Sequence, residues 1–504
     1  MRRWWPVVVV IALIAAACSG GGSGHARPAP SPSTRAATGA PATTTDTRPV
    51  VAWHECDGGE CGTLAAPLDY AHPGAGQVTL ALLRVKARDP SQRIGSLLLN
   101  PGGPGGSGVD FLREFVARVP SELRDRFDLV AWDPRGAGAS TAVQCGTDLD
   151  YLFAADTAPQ TPAQEQGLEA ASQRFANACA QGSGALLPYI SSDATAHDMD
   201  RIREALGDRK LTYLGYSYGT YLGTLYAHDF PANVRALVLD GAIDPAVPPG
   251  ESTIEQAQGF ELALEDFFTW CAGTSSCAFR SGGDPAAAYD ALARSIDARP
   301  IVSRVDGERR VLGPTQFDLA VSTPLYGGRP AWPILADALA HARDGDASDL
   351  LRLFDEQVDR NTGGSYSNQY PAFLAISCLD GPSIGDVATL RALEHTAAER
   401  APHFGEANVG LGMPCAFWPV PSVGRPGAIS APGAAPIVVI GTTGDPATPV
   451  EWARGLASEL GSGRLLVYRG EGHTAFPAGN ACLDGAVIDY LVDLRAPVNG
   501  TTCG

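Results

Sequence analysis

The chain has 504 residues, of which 45% are hydrophobic and 18% are charged. This composition is ordinary for a globular protein and sufficient for one large core with an inserted domain. The formal net charge of -18 argues against a nucleic-acid partner, because such binding depends on basic side chains that face phosphate groups.

The first 18 residues are predicted to be an export signal. Arg2 and Arg3 precede an apolar run, residues 4–17, that is too short for a comfortable transmembrane helix. Small residues before Cys18 favour a bacterial lipoprotein signal with a lipid on that cysteine, although Ala15 stands where a leucine is usual. Plain secretion after an A-x-A site is the alternative. In both cases the mature protein is expected outside the cytoplasm, and it would meet a membrane only through that lipid.

Residues 19–49 are predicted to be a disordered tether, because Gly, Ser, Pro, Ala and Thr dominate them and cannot bury a core. From Trp53 onward, short apolar runs bounded by turn residues indicate buried parallel strands. These runs are 78–85, 96–99, 128–132, 211–214, 234–239, 437–440 and 465–468. A helix is predicted over 194–206, with Gly207 as its stop signal. The alternation predicts a doubly wound, mostly parallel α/β sheet.

The middle of the chain departs from this alternation. Helical patterns are predicted around 254–268, over 285–298 and over 334–342. A segment rich in Pro, Gly and Ala, 419–436, then leads back into a strand. We therefore predict a mainly helical lid, residues 246–431, inserted into a core formed by 50–245 and 432–504.

Cysteine content agrees with export. Without Cys18, ten cysteines remain, an even number that suggests up to five disulfides in an exported protein. The sequence does not determine their pairing. Pairing of neighbours along the chain would give 56–61, 145–179, 271–277, 378–415 and 482–503. A metal site is the weaker alternative, because no C-x-x-C spacing occurs.

A candidate nucleophile follows the predicted strand 211–214. Gly215-Tyr216-Ser217-Tyr218-Gly219 stands between this strand and a predicted helix. In that context G-x-S-x-G is the nucleophile elbow of the α/β-hydrolase fold, where a sharp turn exposes the serine. A tight turn with a surface serine is the alternative, since a Gly-rich chain also produces this motif by chance.

The serine requires a base and an orienting acid. Of the five histidines that follow it, only His473 comes after a predicted core strand, in a glycine-flanked loop. The others are interpreted as solvent-exposed surface residues: His228, His341, His395 and His403. Asp445 follows the strand that begins at Ile437, at the sheet edge where active sites of open α/β folds gather. Ser217, Asp445 and His473 stand in the α/β-hydrolase order, so they are predicted to be nucleophile, acid and base.

An oxyanion hole is predicted after an early strand. The run Asn100-Pro-Gly-Gly-Pro-Gly-Gly106 stands where hydrolases of this fold place one oxyanion donor. Pro104 has no N–H, so Gly103 is predicted to donate together with the N–H of Tyr218. This chemistry calls for no cofactor and no metal.

These motifs make the chain resemble the secreted tripeptidyl aminopeptidase-like serine hydrolases, which are related to proline iminopeptidase. The resemblance covers most of the chain after Trp53. It rests on Pro67-Leu-Asp-Tyr70, Asn100-Pro-Gly-Gly-Pro-Gly105, Trp132-Asp-Pro-Arg-Gly136, Tyr213-Leu-Gly-Tyr-Ser-Tyr-Gly-Thr220, Val238-Leu-Asp-Gly241, Ala375-Ile-Ser-Cys378 with Asp380, and Gly444-Asp-Pro-Ala-Thr-Pro449. It implies a peptidase that takes short peptides from a free N-terminus under a lid, and it assigns the same triad.

An aminopeptidase must also hold a cationic amino terminus, which calls for a carboxylate in or near the lid. Asp380, within a matched stretch, is the candidate. Glu261, Glu265 and Asp266 in the first lid helix are interpreted as solvated charges instead.

The predicted function is a serine exopeptidase that hydrolyses peptide or protein substrates from free N-termini through an acyl-enzyme. An esterase or lipase of the cell envelope would use the same triad with an apolar lid pocket. An inactive envelope lipoprotein that keeps the fold as a binding module is a third reading, against which the complete triad argues.

Overall fold

A computed structural model of the protein describes residues 49–381 and 386–504. The predicted export signal with Cys18, and the predicted tether up to residue 48, lie outside the described residues. Within the described ranges, no helix combines the length and the apolar character needed to cross a membrane.

Ten strands form one large sheet in the described part of the chain, and two more form a separate hairpin. The sheet strands are β1 (His54–Cys56), β2 (Gly59–Pro67), β3 (Gln77–Val85), β4 (Gly95–Asn100), β5 (Phe127–Trp132), β6 (Leu211–Tyr216), β7 (Val234–Asp240), β10 (Ile437–Gly444), β11 (Gly463–Glu471) and β12 (Thr501–Cys503). The hairpin strands are β8 (Ile301–Val305) and β9 (Glu308–Leu312).

Helices follow most of the strands of the sheet and form the lid. Those that accompany the sheet are α1 (Gly108–Phe115), α2 (Ser121–Arg126), α5 (Ser192–Leu206), α6 (Tyr218–Asp229), α15 (Val450–Glu459) and α16 (Ala481–Asp493). The others are α3 (Asp150–Phe153), α4 (Pro162–Ser183), α7 (Pro249–Gly273), α8 (Pro285–Ala298), α9 (Pro314–Tyr326), α10 (Trp332–Arg343), α11 (Ser348–Val358), α12 (Gln369–Asp380), α13 (Val387–Arg400) and α14 (Gly405–Gly410).

The large sheet has the order β1-β2-β3-β5-β4-β6-β7-β10-β11-β12. Pairing is antiparallel from β1 to β5 and parallel from β5 to β12. The predicted α/β-hydrolase fold with a mostly parallel sheet is therefore confirmed. Every predicted core strand is present, whereas β1, β2, β12 and the lid hairpin were not predicted, because their sequences lack a continuous apolar run.

Alternation along the central strands creates two apolar faces, since successive side chains of a strand point to opposite sides. On β5, Val130 packs with α5, α6 and α15, while Leu129 and Ala131 pack with α1, α2 and α16. On β7, Leu237 and Val238 divide in the same way. Helices on both faces bury these strands, which explains why their sequences are almost continuously apolar.

A third apolar cluster holds the lid together. It joins α7, α8, α9, α10, α11 and α12 to each other and also includes residues from 143–190, among them Phe175 and Cys179 of α4. Residues 143–190 were predicted to belong to the core of the sheet, and the domain bounds remain a prediction. In the packing, however, α4 belongs to the lid-side layer, because its apolar face meets lid helices.

Five disulfides are present, and all five follow the neighbour pairing: Cys56–Cys61, Cys145–Cys179, Cys271–Cys277, Cys378–Cys415 and Cys482–Cys503. Such bridges persist in oxidising compartments, so they indicate an exported protein. Two of them join lid elements, and Cys482–Cys503 ties the edge strand β12 to α16.

We expect the ten cysteines of the folded, exported domain to yield no free thiol. Each bridge should contribute roughly 2–4 kcal/mol to the free energy of unfolding, so reduction should lower the melting temperature markedly. Thiol titration after denaturation, with and without reductant, measures this directly. Several thiols in the sample without reductant would contradict the pairing.

Candidate active site

Ser217 lies at the sharp turn between β6 and α6. Its backbone adopts φ 54° and ψ −124°, a region that is sparsely populated by residues other than glycine. Its N–H donates to the carbonyl oxygen of Asp240 on the neighbouring strand at 2.8 Å. The turn therefore has the strand–turn–helix context of a nucleophile elbow, and the strain is of the kind that folds retain at functional sites.

Asp445 and His473 are in direct contact. Nδ1 of His473 lies 2.9 and 3.0 Å from the two carboxylate oxygens of Asp445. The Asp445 carboxylate is fully buried and also accepts from the N–H groups of Ala447 and Thr448, at 2.9 Å each, and from the Thr448 hydroxyl. These donors come from the first turn after β10, so the acid is held rigidly by its own loop.

The contact determines which ring nitrogen of His473 carries the proton. A carboxylate only accepts hydrogen bonds, so Nδ1 donates and the lone pair of Nε2 is available. Nε2 is buried and has no hydrogen-bond partner among the residues that the structure describes. Burial disfavours the imidazolium, but the charge and hydrogen bond of Asp445, together with the charge of Asp240, outweigh it, and the pKa of His473 is raised above its usual value.

The structure gives no hydrogen bond between Ser217 and His473, although both contact the end of β7. Ser217 bonds to the Asp240 carbonyl, and a Cβ at Gly241 would lie 3.0 Å from Cε1 of His473. In serine hydrolases without substrate the serine–histidine contact is often long and shortens in the reactive complex. The site residues thus meet at one edge of the sheet, and their catalytic roles remain a prediction.

The predicted oxyanion loop lies directly against the elbow. A Cβ at Gly102 would be 2.5 Å from the Tyr216 carbonyl oxygen and 2.8 Å from the Tyr218 nitrogen, so only glycine permits this approach. The Gly102 N–H is engaged by the Asn100 side chain at 2.9 Å. Within 49–381 and 386–504, the N–H groups of Gly103 and Tyr218 have no hydrogen-bond partner, as the proposed donors require.

The Trp132–Gly136 motif bonds to the chain that directly follows the oxyanion loop. The buried carboxylate of Asp133 accepts from the Ser107 hydroxyl and from the Val109 and Ala139 N–H groups at 2.7–3.0 Å. Arg135 and Asp198 form a fully buried pair with two contacts of 2.7 Å. The motif is therefore explained as a structural support.

Two lid helices reach the site. The carbonyl oxygen of Tyr326, the last residue of α9, accepts a hydrogen bond from the backbone N–H of His473 at 2.8 Å. The centroids of the Tyr326 and His473 rings are 5.4 Å apart. On the other side, α12 packs on the oxyanion loop so closely that a Cβ at Gly105 would lie 2.6 Å from the Phe373 nitrogen. Sequence reasoning missed Tyr326, because no local motif marks a lid residue whose partner is 147 positions away.

Asp380, the predicted anchor for a substrate amino terminus, lies at the end of α12 close to the elbow. Its carboxylate accepts from the Tyr218 hydroxyl at 2.5 Å and from the Ser192 N–H at 2.9 Å. Burial raises the pKa of Asp380 to about 6, and these two donors oppose that rise. The side chain is thus ionised at neutral pH, and two of its lone-pair positions are taken by the protein.

Two predictions about lid charges were wrong. Glu261 is only 8% exposed, and its carboxylate pairs with the ring and the N–H of His403. His403 also contacts Asp290 at 3.0 Å, so the two acids raise its pKa to about 9 although burial opposes them. Both residues had been interpreted as solvated, because helix periodicity places a charge on a face but does not show what packs against it. Glu265 and Asp266 are exposed, as expected.

No group of three or more His, Cys, Asp or Glu side chains within the described residues is arranged to hold a metal ion. The site offers groups of the chain itself: a serine hydroxyl, an oriented imidazole, a buried carboxylate and two main-chain donors.

Comparison with known proteins identifies two family models in the chain. Residues 95–286 match the model of the alpha/beta hydrolase fold, and residues 401–503 match the model described as TAP-like protein. The chain is 38% identical over 464 residues to serine protease Hip1 of Mycobacterium tuberculosis, with 88% of this chain and 87% of that protein covered.

Two further relatives have names that denote different enzymatic activities. Carboxylesterase B of Mycobacterium tuberculosis is 38% identical over 454 residues, with 88% of this chain and 86% of that protein covered. The tripeptidyl aminopeptidase of Streptomyces lividans is 30% identical over 454 residues, with 88% and 83% covered.

We expect Ser217→Ala to abolish turnover without unfolding the protein. Alanine carries the same Cβ as serine, so the strain at φ 54° is unchanged, and the residual rate should reflect the oxyanion donors and binding alone. Labelling with a fluorophosphonate probe and a melting curve test both parts. Ser121→Ala, at an exposed serine, should label like the wild type. Labelling of Ser217→Ala would reject this serine as the nucleophile.

We also expect kcat/KM to increase with pH on the acidic side of its pH profile, because His473 must be neutral to act as the base. The midpoint of this increase should lie above pH 6.5, since the pKa of His473 is raised from that value. Asp445→Asn removes the charge that raises it, so the midpoint should move to lower pH. The same change favours the wrong tautomer and should lower kcat by roughly 10⁴-fold. A pH profile of both proteins measures these effects, and a fully active Asp445→Asn would exclude Asp445 as the acid.

Proposed function

The chain belongs to the tripeptidyl aminopeptidase-like serine hydrolases of the α/β-hydrolase fold, and on that premise we propose that this serine peptidase removes short peptides from free N-termini. The observation that carries the proposal is the set of contacts at one edge of the sheet. A strained serine follows β6, and an imidazole whose Nδ1 bonds to a buried aspartate follows β11.

In the proposed acylation step, Oγ of Ser217 attacks the scissile carbonyl carbon, and Nε2 of His473 takes the hydroxyl proton. The imidazolium is stabilised by Asp445, which stays ionised. The carbonyl oxygen becomes an oxyanion that the N–H groups of Gly103 and Tyr218 would stabilise. The imidazolium then gives its proton to the departing amine, and the C–N bond breaks to leave an ester on Ser217.

Deacylation repeats these steps with water. His473 removes a proton from water, the resulting hydroxide attacks the ester carbonyl, and the proton is returned to Oγ of Ser217 as the peptide acid leaves. The lid would exclude bulk water while the substrate is bound, which strengthens the electrostatic interactions within the site.

The exopeptidase part of the proposal rests on Asp380. Because Tyr218 directly follows the candidate nucleophile, its hydroxyl bond to Asp380 brings a lid carboxylate into the neighbourhood of a bound substrate. A carboxylate has about four lone-pair positions, and two protein donors leave room for an ammonium group. Such a charge-assisted contact would select substrates with an unblocked amino terminus.

Partners and location are proposed on the same basis. The substrates are peptides or proteins outside the cytoplasm, and the acidic surface is unsuited to nucleic acid. We further propose that a lipid on Cys18 anchors the protein to the cell envelope through the segment 19–48. Mass spectrometry of the mature N-terminus would test this, and a mature chain that begins with an unmodified Cys18, or downstream of it, would reject it.

An esterase is the second candidate function, because carboxylesterase B is as similar to the chain as serine protease Hip1. Both reactions use the same triad and differ in what the lid admits. Initial rates on chromogenic aminoacyl amides and on fatty-acyl esters separate them. Hydrolysis of the acyl esters alone would favour the esterase.

We expect acetylation of the peptide amino terminus to lower kcat/KM by roughly a hundredfold or more, at about 1.4 kcal/mol per decade. Acetylation removes the ammonium and leaves the Asp380 charge unpaired beneath an apolar cap, which costs several kcal/mol. Steady-state rates on matched free and acetylated tripeptide amides measure the ratio. Equal rates would reject the exopeptidase proposal.

Asp380→Asn should reduce this discrimination, mainly by weakening hydrolysis of the free peptide. Asparagine keeps one oxygen to accept from Tyr218 or Ser192, so the lid contact survives in part. Glu265→Gln, at an exposed position of α7, is the matched control and should discriminate like the wild type. Unchanged discrimination in Asp380→Asn would exclude this carboxylate as the anchor.

A further inference from the structure

A second buried aspartate at the site, Asp240, takes no part in the chemistry described above. It is the last residue of β7 and is fully buried. We propose that Asp240 is a positioning residue that holds the base loop, residues 472–476, in register with Ser217. This inference rests on the proposed function, because it presumes that His473 is the base.

The side chain of Asp240 is bound by the base loop itself. Its carboxylate accepts the Phe476 N–H at 2.7 Å and the Ala475 N–H at 3.0 and 3.1 Å. The preceding N–H, that of Thr474, points to Asp445 at 3.3 Å. Three successive amides after His473 are therefore distributed over two aspartates, an arrangement in which consecutive N–H groups form an anion-binding concavity.

The main chain of Asp240 holds the nucleophile. Its carbonyl oxygen accepts the Ser217 N–H at 2.8 Å, and in the sheet it stands opposite Tyr216 on β6 and Ile440 on β10. One residue thus bonds to the elbow through its backbone and to the base loop through its side chain. Any shift of Asp240 would change the distance between the two reacting groups.

The base loop requires this support because it is strained. Thr474 has φ 66°, and a β-branched residue in the left-handed region is an outlier that its surroundings must compensate. The carboxylate of Asp240 accepts the next two N–H groups, and the Tyr216 hydroxyl donates to the Phe476 carbonyl at 2.9 Å. Without the carboxylate, those two N–H groups would be buried without partners, and the loop would relax.

Asp240 also lies near the His473 ring, so its negative charge acts on the imidazole. A Cβ at the adjacent Gly241 would lie 3.0 Å from Cε1 of the imidazole. Burial raises the pKa of Asp240 to about 7, against the Phe476 and Ala475 N–H groups and the His473 charge that lower it, while Asp445 adds to the rise. The groups that face this cluster are Asp445, His473 and the Tyr216 hydroxyl, and the ionised fraction of Asp240 raises the pKa of His473.

Replacement by asparagine and by alanine separates geometry from charge. In Asp240→Asn the amide oxygen can accept both loop N–H groups, as the Oδ2 atom does now, so the loop should stay in place. Asp240→Ala removes both bonds. Asp128 provides the matched control, because it is also buried and accepts a backbone N–H, that of Ala87 at 2.9 Å, at the opposite end of the strands.

We expect Asp240→Ala to lower kcat on a tripeptide amide with a free amino terminus by at least about a hundredfold, with KM little changed, since a misplaced catalytic group has this effect. Asp240→Asn should recover most of that loss. Its acidic limb in kcat/KM should lie roughly half a pH unit or more below that of the wild type, because a negative charge near His473 is gone. Asp128→Ala should lower the melting temperature and leave kcat and the limb unchanged.

The contrary outcomes are distinct. A kcat loss in Asp240→Ala no larger than in Asp128→Ala would overturn the positioning role, and a wild-type acidic limb in Asp240→Asn would overturn the effect of the Asp240 charge on His473. Equal losses in the asparagine and alanine variants would overturn the positioning role as well, because geometry would then not be what Asp240 supplies. If Asp240→Ala fails to fold, Asp240→Ser takes its place, because its shorter side chain also loses the carboxylate that accepts the two loop N–H groups. A wild-type protein that does not label with fluorophosphonate at Ser217 would overturn the proposed function itself.

Discussion

The backbone of Ser217, at φ 54° and ψ −124°, is the constraint around which the other parts of the site are arranged. A residue in this conformation exposes its side chain at the end of a parallel strand, but it leaves little space around the turn. The loop after β4 must approach without side chains, as the contacts at Gly102 show, and β7 must offer a carbonyl oxygen at the right position for the Ser217 N–H. The parallel pairing of β4, β6 and β7 brings all three chain segments to the same edge.

Buried carboxylates are the second requirement, and they are costly unless hydrogen bonds satisfy them. Asp445 and Asp240 meet this condition with main-chain N–H groups from the loops after β10 and β11. The bonds to Asp240 also fix the loop that carries His473. Satisfaction of the buried charge and placement of the base are thus one arrangement.

The lid is coupled to this arrangement rather than only covering it. The Tyr326 carbonyl oxygen accepts a hydrogen bond from the backbone N–H of His473. Helix α12 packs on the oxyanion loop, and its Asp380 accepts a hydrogen bond from the Tyr218 hydroxyl. Movement of the lid would therefore change the positions of His473 and Tyr218. Function on a common fold is decided by the site. The lid is where peptidase and esterase substrates would be distinguished.

Much of this protein was predictable from sequence because the signals are local. The central strands follow from apolar runs of four to eight residues, and the candidate triad follows from which polar residue comes after which strand. The five disulfides join neighbouring cysteines along the chain, but the sequence alone did not determine this pairing. Residues whose roles depend on distant partners were not predictable in this way. The carboxylate of Asp240 meets amides 235 and 236 positions later, Tyr326 meets His473 across the lid, and Glu261 pairs with His403 instead of solvent. Periodicity and turn residues specify what an element is and which face it buries, whereas only the tertiary structure decides which buried polar groups satisfy each other.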